Sequence, residues 1–224
     1  MASADRSALP AGFRLLPDHL DRAAQVALVR QVAAIAAEAP FSHYAVPGRP
    51  GGPAARMSVA MTAAGPWGWV SDADGYRYSA CHPCTGRPWP PLPPVLLDLW
   101  HTLTGAAQPA DSCLINLYTG TARMGLHRDA DEDEVVADAP ILNISLGDTA
   151  VFRLGGPSRR DPTRSFRVSS GTVMVFGGAA RSVFHGVDRI LAGSSTVLAD
   201  GGMDRAGVAA EGRLNLTLRR AKAP

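Results

Sequence analysis

Three side chains in this sequence are of metal-binding types and are spaced so that they could act together. His127 and Asp129, in Leu126-His127-Arg128-Asp129, are one residue apart, and His185 follows much later in Phe184-His185-Gly186. On an extended stretch side chains alternate faces, so residues i and i+2 point the same way about 6.5 Å apart, a spacing that suits two ligands of one ion. Two imidazoles and one carboxylate on one side of a metal, with other positions open, form the donor set of non-haem Fe(II) oxygenases. The His-x-Asp pair alone is weak evidence, because a surface histidine beside a solvated aspartate is common. The remaining sequence must build the rest of such a site.

A second set lies in Arg213-Leu214-Asn215-Leu216-Thr217-Leu218-Arg219, which alternates strictly. As a strand it puts Arg213, Asn215, Thr217 and Arg219 on one face and three leucines on the other. An ordinary amphipathic strand would turn the polar face to water. In a barrel the leucines would pack under covering helices and the arginines would point into the lumen, where buried charge needs an anionic partner such as a dicarboxylate. Asn116 and Tyr118, also at i and i+2, would add hydrogen-bonding groups to the same cavity.

A third set is aromatic. Trp67, Trp69, Tyr76, Tyr78 and Trp89 fall in a short span beside Arg56, Arg77 and Arg87. Interleaved aromatic faces and arginines suit a stacked base with its phosphates, stacking being worth about 1–3 kcal/mol per base, and they equally suit a small aromatic core.

The elements that would position these groups follow from composition and pattern. At 224 residues the chain is long enough for one large domain with its own core. Residues 1–16 read as an irregular arm. Asp18 offers an N-cap to an Ala-rich helix from about His19 to Glu38, stopped by Pro40, and Pro47 to Pro53 reads as a loop. Residues 17–110 are read as helical support with a lid of short strands (57–62, 67–70, 76–78) and a second helix from about Val95 to Leu103. His101, inside that helix, reads as a surface or structural histidine. Residues 111–224 read as strands at 113–118, 141–146, 150–154, 165–168, 172–176, 183–185, 196–198 and 213–219. Many short strands with Gly and Asp turns and no helices between them predict a jelly roll, so the expected fold is mainly β with flanking helices.

Composition excludes other classes. No stretch approaches the roughly 20 apolar residues of a membrane span, and the N-terminal residues are not signal-like, so a soluble cytoplasmic protein and a monomer are expected. Charge is near balance at +2, and Lys222 is the single lysine among 22 Lys and Arg. That arginine bias fits an anionic partner, though a GC-rich genome produces it too. Cys81, Cys84 and Cys113 make no disulfide framework and point to a reducing compartment. Cys81-His82-Pro83-Cys84 has the spacing of half a zinc site, but no second pair follows, so it reads as incidental.

Taken together, His127-x-Asp129, His185 and Arg213-x-Asn215-x-Thr217-x-Arg219 resemble the signature of the AlkB-type Fe(II)/2-oxoglutarate-dependent dioxygenases, which repair alkylated nucleic-acid bases by oxidative dealkylation. The resemblance extends through Met57-Ser58-Val59-Ala60-Met61-Thr62, Gly68-Trp69, Gly75-Tyr76-x-Tyr78-Ser79, Pro88-Trp89-Pro90, Leu114-Ile115-Asn116-x-Tyr118, Asp131-Glu132 and Arg160-Asp161-Pro162, from about residue 40 onward. It implies a double-stranded β-helix with an N-terminal nucleotide-recognition lid, using Fe(II), 2-oxoglutarate and O₂. His127, Asp129 and His185 would bind iron. Asn116, Tyr118, Arg213, Asn215 and Arg219 would hold 2-oxoglutarate, with Arg219 at the end remote from the metal. Met61, Trp69, Tyr76, Tyr78, Asp131 and Arg159 would contact substrate, with the base stacked between Trp69 and His127.

The implied reaction is demethylation of N1-methyladenine or N3-methylcytosine in single- or double-stranded DNA, with RNA beside it. It would convert 2-oxoglutarate to succinate and CO₂ and release formaldehyde. In a duplex the base must be extruded, and a base that cannot pair is the cheapest to extrude. The segment 199–212 is longer than the resemblance implies and is composed like a surface loop. Two readings stay open beside this one: a dioxygenase of the same superfamily acting mainly on RNA, tRNA or another substrate, and a non-catalytic jelly-roll module holding a structural metal.

Overall fold

Short β-branched and leucine-rich runs dominate the chain after residue 111, and they form strands in this order. The elements are β1 (Phe13–Leu16), α1 (Arg22–Glu38), β2 (Ala45–Val46), β3 (Ala55–Arg56), β4 (Ala60–Ala64), β5 (Gly68–Asp72), β6 (Gly75–Ser79) and α2 (Pro94–Thr104). After them come β7 (Ser112–Tyr118), β8 (Met124–His127), β9 (Ile141–Gly147), β10 (Thr149–Leu154), β11 (Arg164–Val168), β12 (Val173–Phe176), β13 (His185–Leu191), α3 (Val197–Asp200) and β14 (Arg213–Arg219). The structure, a computed structural model, describes residues 9–46, 55–73, 75–129 and 139–221.

One sheet has the order β1-β12-β9-β14-β7-β4 and the other β11-β10-β13-β8, while β2-β3 and β5-β6 are separate ribbons. The strands from β7 to β14 divide evenly between the two sheets, all pairings are antiparallel, and β1 and β4 extend the larger sheet at its edges. This is the jelly roll expected from the pattern, mainly β with flanking helices.

Why the larger sheet sits where it does is clearest at β14. Leu214, Leu216 and Leu218 are wholly buried and share a cluster with Leu28, Val29, Val32 and Ile35 of α1 and Leu96 and Trp100 of α2. Burial of each leucine contributes about 1.5–3 kcal/mol, and Leu216→Ala would cost about 2–5 kcal/mol. α1 starts at Asp21, whose carboxylate accepts from Ala24 N at 2.8 Å. It meets the segment after β13 so closely that a Cβ on Gly201 would lie 2.2 Å from a Val29 methyl. α2 begins with Pro94 and ends at Gly105, whose φ of 66° is the left-handed cap that glycine adopts without strain. No helix among the described residues is long and apolar enough to cross a membrane.

Several local expectations change. Asp21, not Asp18, caps α1; Asp18 instead adopts a φ of 50° in the preceding turn. Phe13–Leu16, expected in an irregular arm, pairs with β12, because Phe13 has an aromatic pocket against Phe166 and Phe176. The apolar run at 196–198 is the start of a helical turn, not a strand, with Val197 and Leu198 buried under α1. Met203 is also wholly buried, so 199–212 is anchored to the core and is not a surface loop throughout. The Pro47 to Pro53 segment lies outside the described residues.

Candidate active site

Register brings the two histidines together. β13 and β8 pair so that His185 stands opposite His127, and the register shifts between His185 and Val187. Directly opposed residues on antiparallel strands have Cβ atoms about 4.5–5.5 Å apart, and irregular pairing of this kind recurs beside active sites. β8 ends at His127, so Asp129 is placed by the turn after the strand and not by strand alternation. Its Oδ1 is 3.5 Å from His127 Nε2 and its Oδ2 3.7 Å from His185 Nε2. The ligand atoms of all three lie within 4.8 Å of one another, and this is the one such cluster among the described residues.

The donor chemistry fits Fe(II). Nδ1 of His127 lies 2.9 Å from Gly125 O, and Nδ1 of His185 lies 3.2 Å from Val183 O. A carbonyl only accepts, so Nδ1 carries the proton in each ring and the Nε2 lone pairs face Asp129. Burial, with the neighbouring His127, pushes the His185 pKa down to about 4, which keeps that ring neutral at physiological pH. Burial alone would raise the Asp129 carboxyl, but Arg219, His185 and His127 outweigh it and hold the group well below the usual carboxylate range. A neutral imidazole pair and an ionised carboxylate are what a divalent transition metal takes.

The triad lies in a cavity of about 320 Å³ whose floor is the polar face of β14 with its neighbours. Asn215 pairs with Asn116 on one side and Ser145 on the other, and Arg213 with Tyr118 and Gly147. Thr217 donates to Asn143 Oδ1 at 2.7 Å, or to Asn215 Oδ1 at 3.0 Å. Arg213 is 1% exposed and donates to Ser145 Oγ, Val168 O and Asp148 O, none of them a carboxylate. Burial lowers its pKa only to about 10, so it is charged near neutrality. Its Nε and Asn116 Oδ1 have no hydrogen-bond partner among the described residues. A buried cation and orphaned polar atoms on one wall mark a place where an anionic ligand belongs.

Arg219 differs from its expected position. Its Nη2 is 3.4 Å from Asp129 Oδ1 and its Nη1 donates to Tyr78 OH, so it sits at the metal end of the cavity and not at the remote end. The two arginines start roughly 20 Å apart along the strand, six residues at about 3.3 Å each, and Arg213 occupies the other end.

At the mouth, Trp69 and Tyr76 on β5 and β6 stack with ring centroids 5.3 Å apart and planes 21° from parallel. Both line the cavity, as do Met61 and Arg159. Trp69 Nε1 is buried without an acceptor among the described residues. Tyr78, expected on the substrate, does not line the cavity; its hydroxyl meets Arg219 behind the wall. Asp131 lies outside the described residues. The cavity also takes in residues not singled out from the sequence, among them Leu114, Asn143, Phe152 and Phe184. Leu114 alternates with Asn116 and Tyr118, a signal that was available; Asn143 is found only through its cross-strand pairing with Thr217. The Cys81 and Cys84 thiols are free and exposed, while His82 turns inward, its Nε2 on Pro40 O and its Nδ1 accepting from Cys84 N and Thr85 N. That histidine holds a turn.

Comparison with known proteins agrees with this geometry. A family model described as the 2OG-Fe(II) oxygenase superfamily matches residues 12–219. The chain is 56% identical over 212 residues to an alpha-ketoglutarate-dependent dioxygenase AlkB homolog of Caulobacter vibrioides, covering 94% of this chain and 88% of that protein. It is 39% identical over 171 residues to alpha-ketoglutarate-dependent dioxygenase AlkB of Escherichia coli, covering 74% and 76% of the two chains. The solved structure of OsALKBH1 superposes with a TM-score of 0.72 at 30% identity, over 96% of this chain and 99% of that one. The chain therefore belongs to the 2OG-Fe(II) oxygenase superfamily and is an AlkB-type dioxygenase, an enzyme dependent on Fe(II), 2-oxoglutarate and O₂.

Proposed function

We propose that the protein demethylates alkylated nucleic-acid bases, N1-methyladenine and N3-methylcytosine first among them. One observation carries this reading: a single cavity has inside it a metal-type triad and a buried arginine with no carboxylate partner among the described residues, and a stacked aromatic pair at its mouth. His127, Asp129 and His185 would hold Fe(II). Arg213 would take the distal carboxylate of 2-oxoglutarate, supported by its burial among neutral acceptors, with Asn116, Tyr118 and Asn215 beside it. Arg219 would steady Asp129 and the metal-side end of the co-substrate. Bound Fe(II) with 2-oxoglutarate and O₂ supplies oxidation of the N-methyl group, yielding succinate, CO₂ and formaldehyde.

The protein's own side chains do the selecting. The faces of Trp69 and Tyr76 suit a flat, positively charged methylated ring, and Met61 and Arg159 bound the space beside them. The lid, on this reading, is the β5-β6 ribbon. The relatives named AlkB and the DNA N(6)-methyladenine demethylases of Arabidopsis thaliana support a nucleic-acid substrate. We take the protein to act as a monomer in the cytoplasm, where free thiols such as Cys81 and Cys84 persist.

The test is incubation with single-stranded DNA carrying N1-methyladenine, in parallel with the matching RNA. Succinate and formaldehyde should form in equal amounts as the methyl group is lost. Turnover of 2-oxoglutarate with the methyl group retained on both oligonucleotides would remove the assignment.

A further inference from the structure

The chain has six phenylalanines, and four of them close a ring of aromatic contacts with His185. Centroids are 4.9 Å apart from Phe13 to Phe176, 5.0 Å from Phe176 to His185 and 5.8 Å from His185 to Phe152. The circuit closes with 5.5 Å from Phe152 to Phe166 and 6.3 Å from Phe166 back to Phe13. All five distances lie in the range over which aromatic rings attract. Register builds the ring from both sheets. Phe13 of β1 stands directly opposite Phe176 of β12 in the larger sheet, and Phe152 of β10 directly opposite Phe166 of β11 in the smaller one. The imidazole on β13 joins the two pairs. Phe13, Phe152 and Phe176 are buried, and Phe166 is half-buried.

The two histidines of the triad are thus held by different means. His127, with its side chain 40% exposed, relies on a 2.9 Å hydrogen bond from Nδ1 to Gly125 O. His185, 9% exposed, has the longer bond, 3.2 Å to Val183 O. The outer torsion of a histidine is broad, so a bond at the long end of the normal range defines the ring plane loosely. The planes of Phe152 and Phe176 stand 17° and 36° from that of the imidazole, and close-packed rings at those angles limit how far it can turn. A ligand set has to be held within about 10–20° of its working geometry. Resting on the assignment of His185 as an iron ligand, we propose that Phe152 and Phe176, braced by Phe166 and Phe13, are positioning residues. They fix the imidazole plane, and with it the direction of the Nε2 lone pair, and they form an apolar wall behind the ligand. β1 belongs to the support of the metal site on this account, although none of its residues lines the cavity.

The test uses the full chain with Phe152→Leu and Phe176→Leu, which keep an apolar side chain and remove the flat ring. Beside them stand His185→Ala and a control, Trp100→Phe, which loses packing volume and the Nε1 bond to Gln108 O in the other core cluster. Affinity for Co(II) is read without oxygen from the metal's visible absorption, and the melting temperature of each metal-free variant is recorded to show that it folds. Both leucine variants should bind Co(II) about tenfold more weakly than wild type, the usual cost of removing a group that orients a ligand. Their charge-transfer band with Fe(II) and 2-oxoglutarate should also shift or broaden. Trp100→Phe should melt lower than wild type yet keep its Co(II) affinity within about twofold and its band in place. Leucine variants with wild-type affinity and an unmoved band would overturn the proposal, as would an equal loss of affinity in Trp100→Phe. Wild-type affinity retained by His185→Ala would instead remove the ligand assignment on which it rests.

Discussion

The floor of the cavity and its mouth are built in opposite ways. On the floor, Arg213, Asn215 and Thr217 of β14 are each held between two partner strands, and Arg213, Asn116, Thr217 and Asn143 are all at most 5% exposed. At the mouth, Trp69 and Tyr76 ride on a two-stranded ribbon, and Tyr76 is 55% exposed. Trp69 and Val70 anchor β5 of that ribbon in the core, and Tyr76 on β6 is held by stacking on Trp69, whereas the floor depends on sheet register. Rigid register suits a small ligand that never varies, the metal with its co-substrate. A stacking platform suits a ligand whose outline changes from lesion to lesion.

That contrast can be broken first at the triad. Asp129→Ala removes one of three ligands and should lower turnover by about 10³-fold or more. It should also abolish the visible charge-transfer band formed by Fe(II) and 2-oxoglutarate without oxygen. A variant that kept the band would place the metal elsewhere.

A sharper test of the floor is Arg213→Met. The KM for 2-oxoglutarate should rise by about 100-fold, in line with loss of a buried charged hydrogen-bonding group. The melting temperature should change only slightly, because removal of a buried charge offsets the loss of its hydrogen bonds to Ser145 Oγ and to the Val168 and Asp148 carbonyls. A large fall in melting temperature with 2-oxoglutarate affinity intact would mean that the arginine is structural.

At the mouth, Trp69→Ala should raise the KM for methylated oligonucleotide by about 10- to 100-fold, since stacking is worth about 1–3 kcal/mol per base. The KM for 2-oxoglutarate should not move. Equal effects on both constants would erase the division between floor and mouth.

The smallest expected effect concerns acid stability of the metal-free protein. Folded His185 takes its proton only near pH 4, against about 6.5 when unfolded, so the unfolded chain binds more protons in that window and stability falls as pH drops through it. Asp129, held below the ordinary carboxylate range, adds to the loss in the same direction at lower pH. Thermal melts from pH 7 to pH 4 should show the decline, and Fe(II) should delay it by competing with protons for Nε2.

Much of this was legible in the sequence because strand alternation has a period of two. The leucine and polar faces of β14, the Asn116–Tyr118 pair and the many short strands follow from that period alone. What alternation does not carry is which strands meet. The opposition of His185 to His127, the Asn143–Thr217 bond and the metal-end position of Arg219 are facts of register between distant segments. The 196–198 run misleads for a related reason: a short apolar stretch buries equally well as a strand or a helical turn, and α1 lying above it decides. Phe13–Leu16 was likewise invisible as a strand until β12 offered it an edge.

The position of β14 in the larger sheet also has a bearing on how the protein folds. It lies between β9 and β7, so without it that sheet falls into two unconnected halves, β1-β12-β9 and β7-β4. Its partner β7 lies roughly a hundred residues earlier, a loop closure slow enough to dominate the folding rate. Arg213 and Arg219, the arginines of the cavity floor, arrive on this one strand. A nascent or partly folded chain can therefore bring its histidines near each other while having no pocket for the dicarboxylate, and competence for the coupled reaction is gained in the same step that closes the sheet.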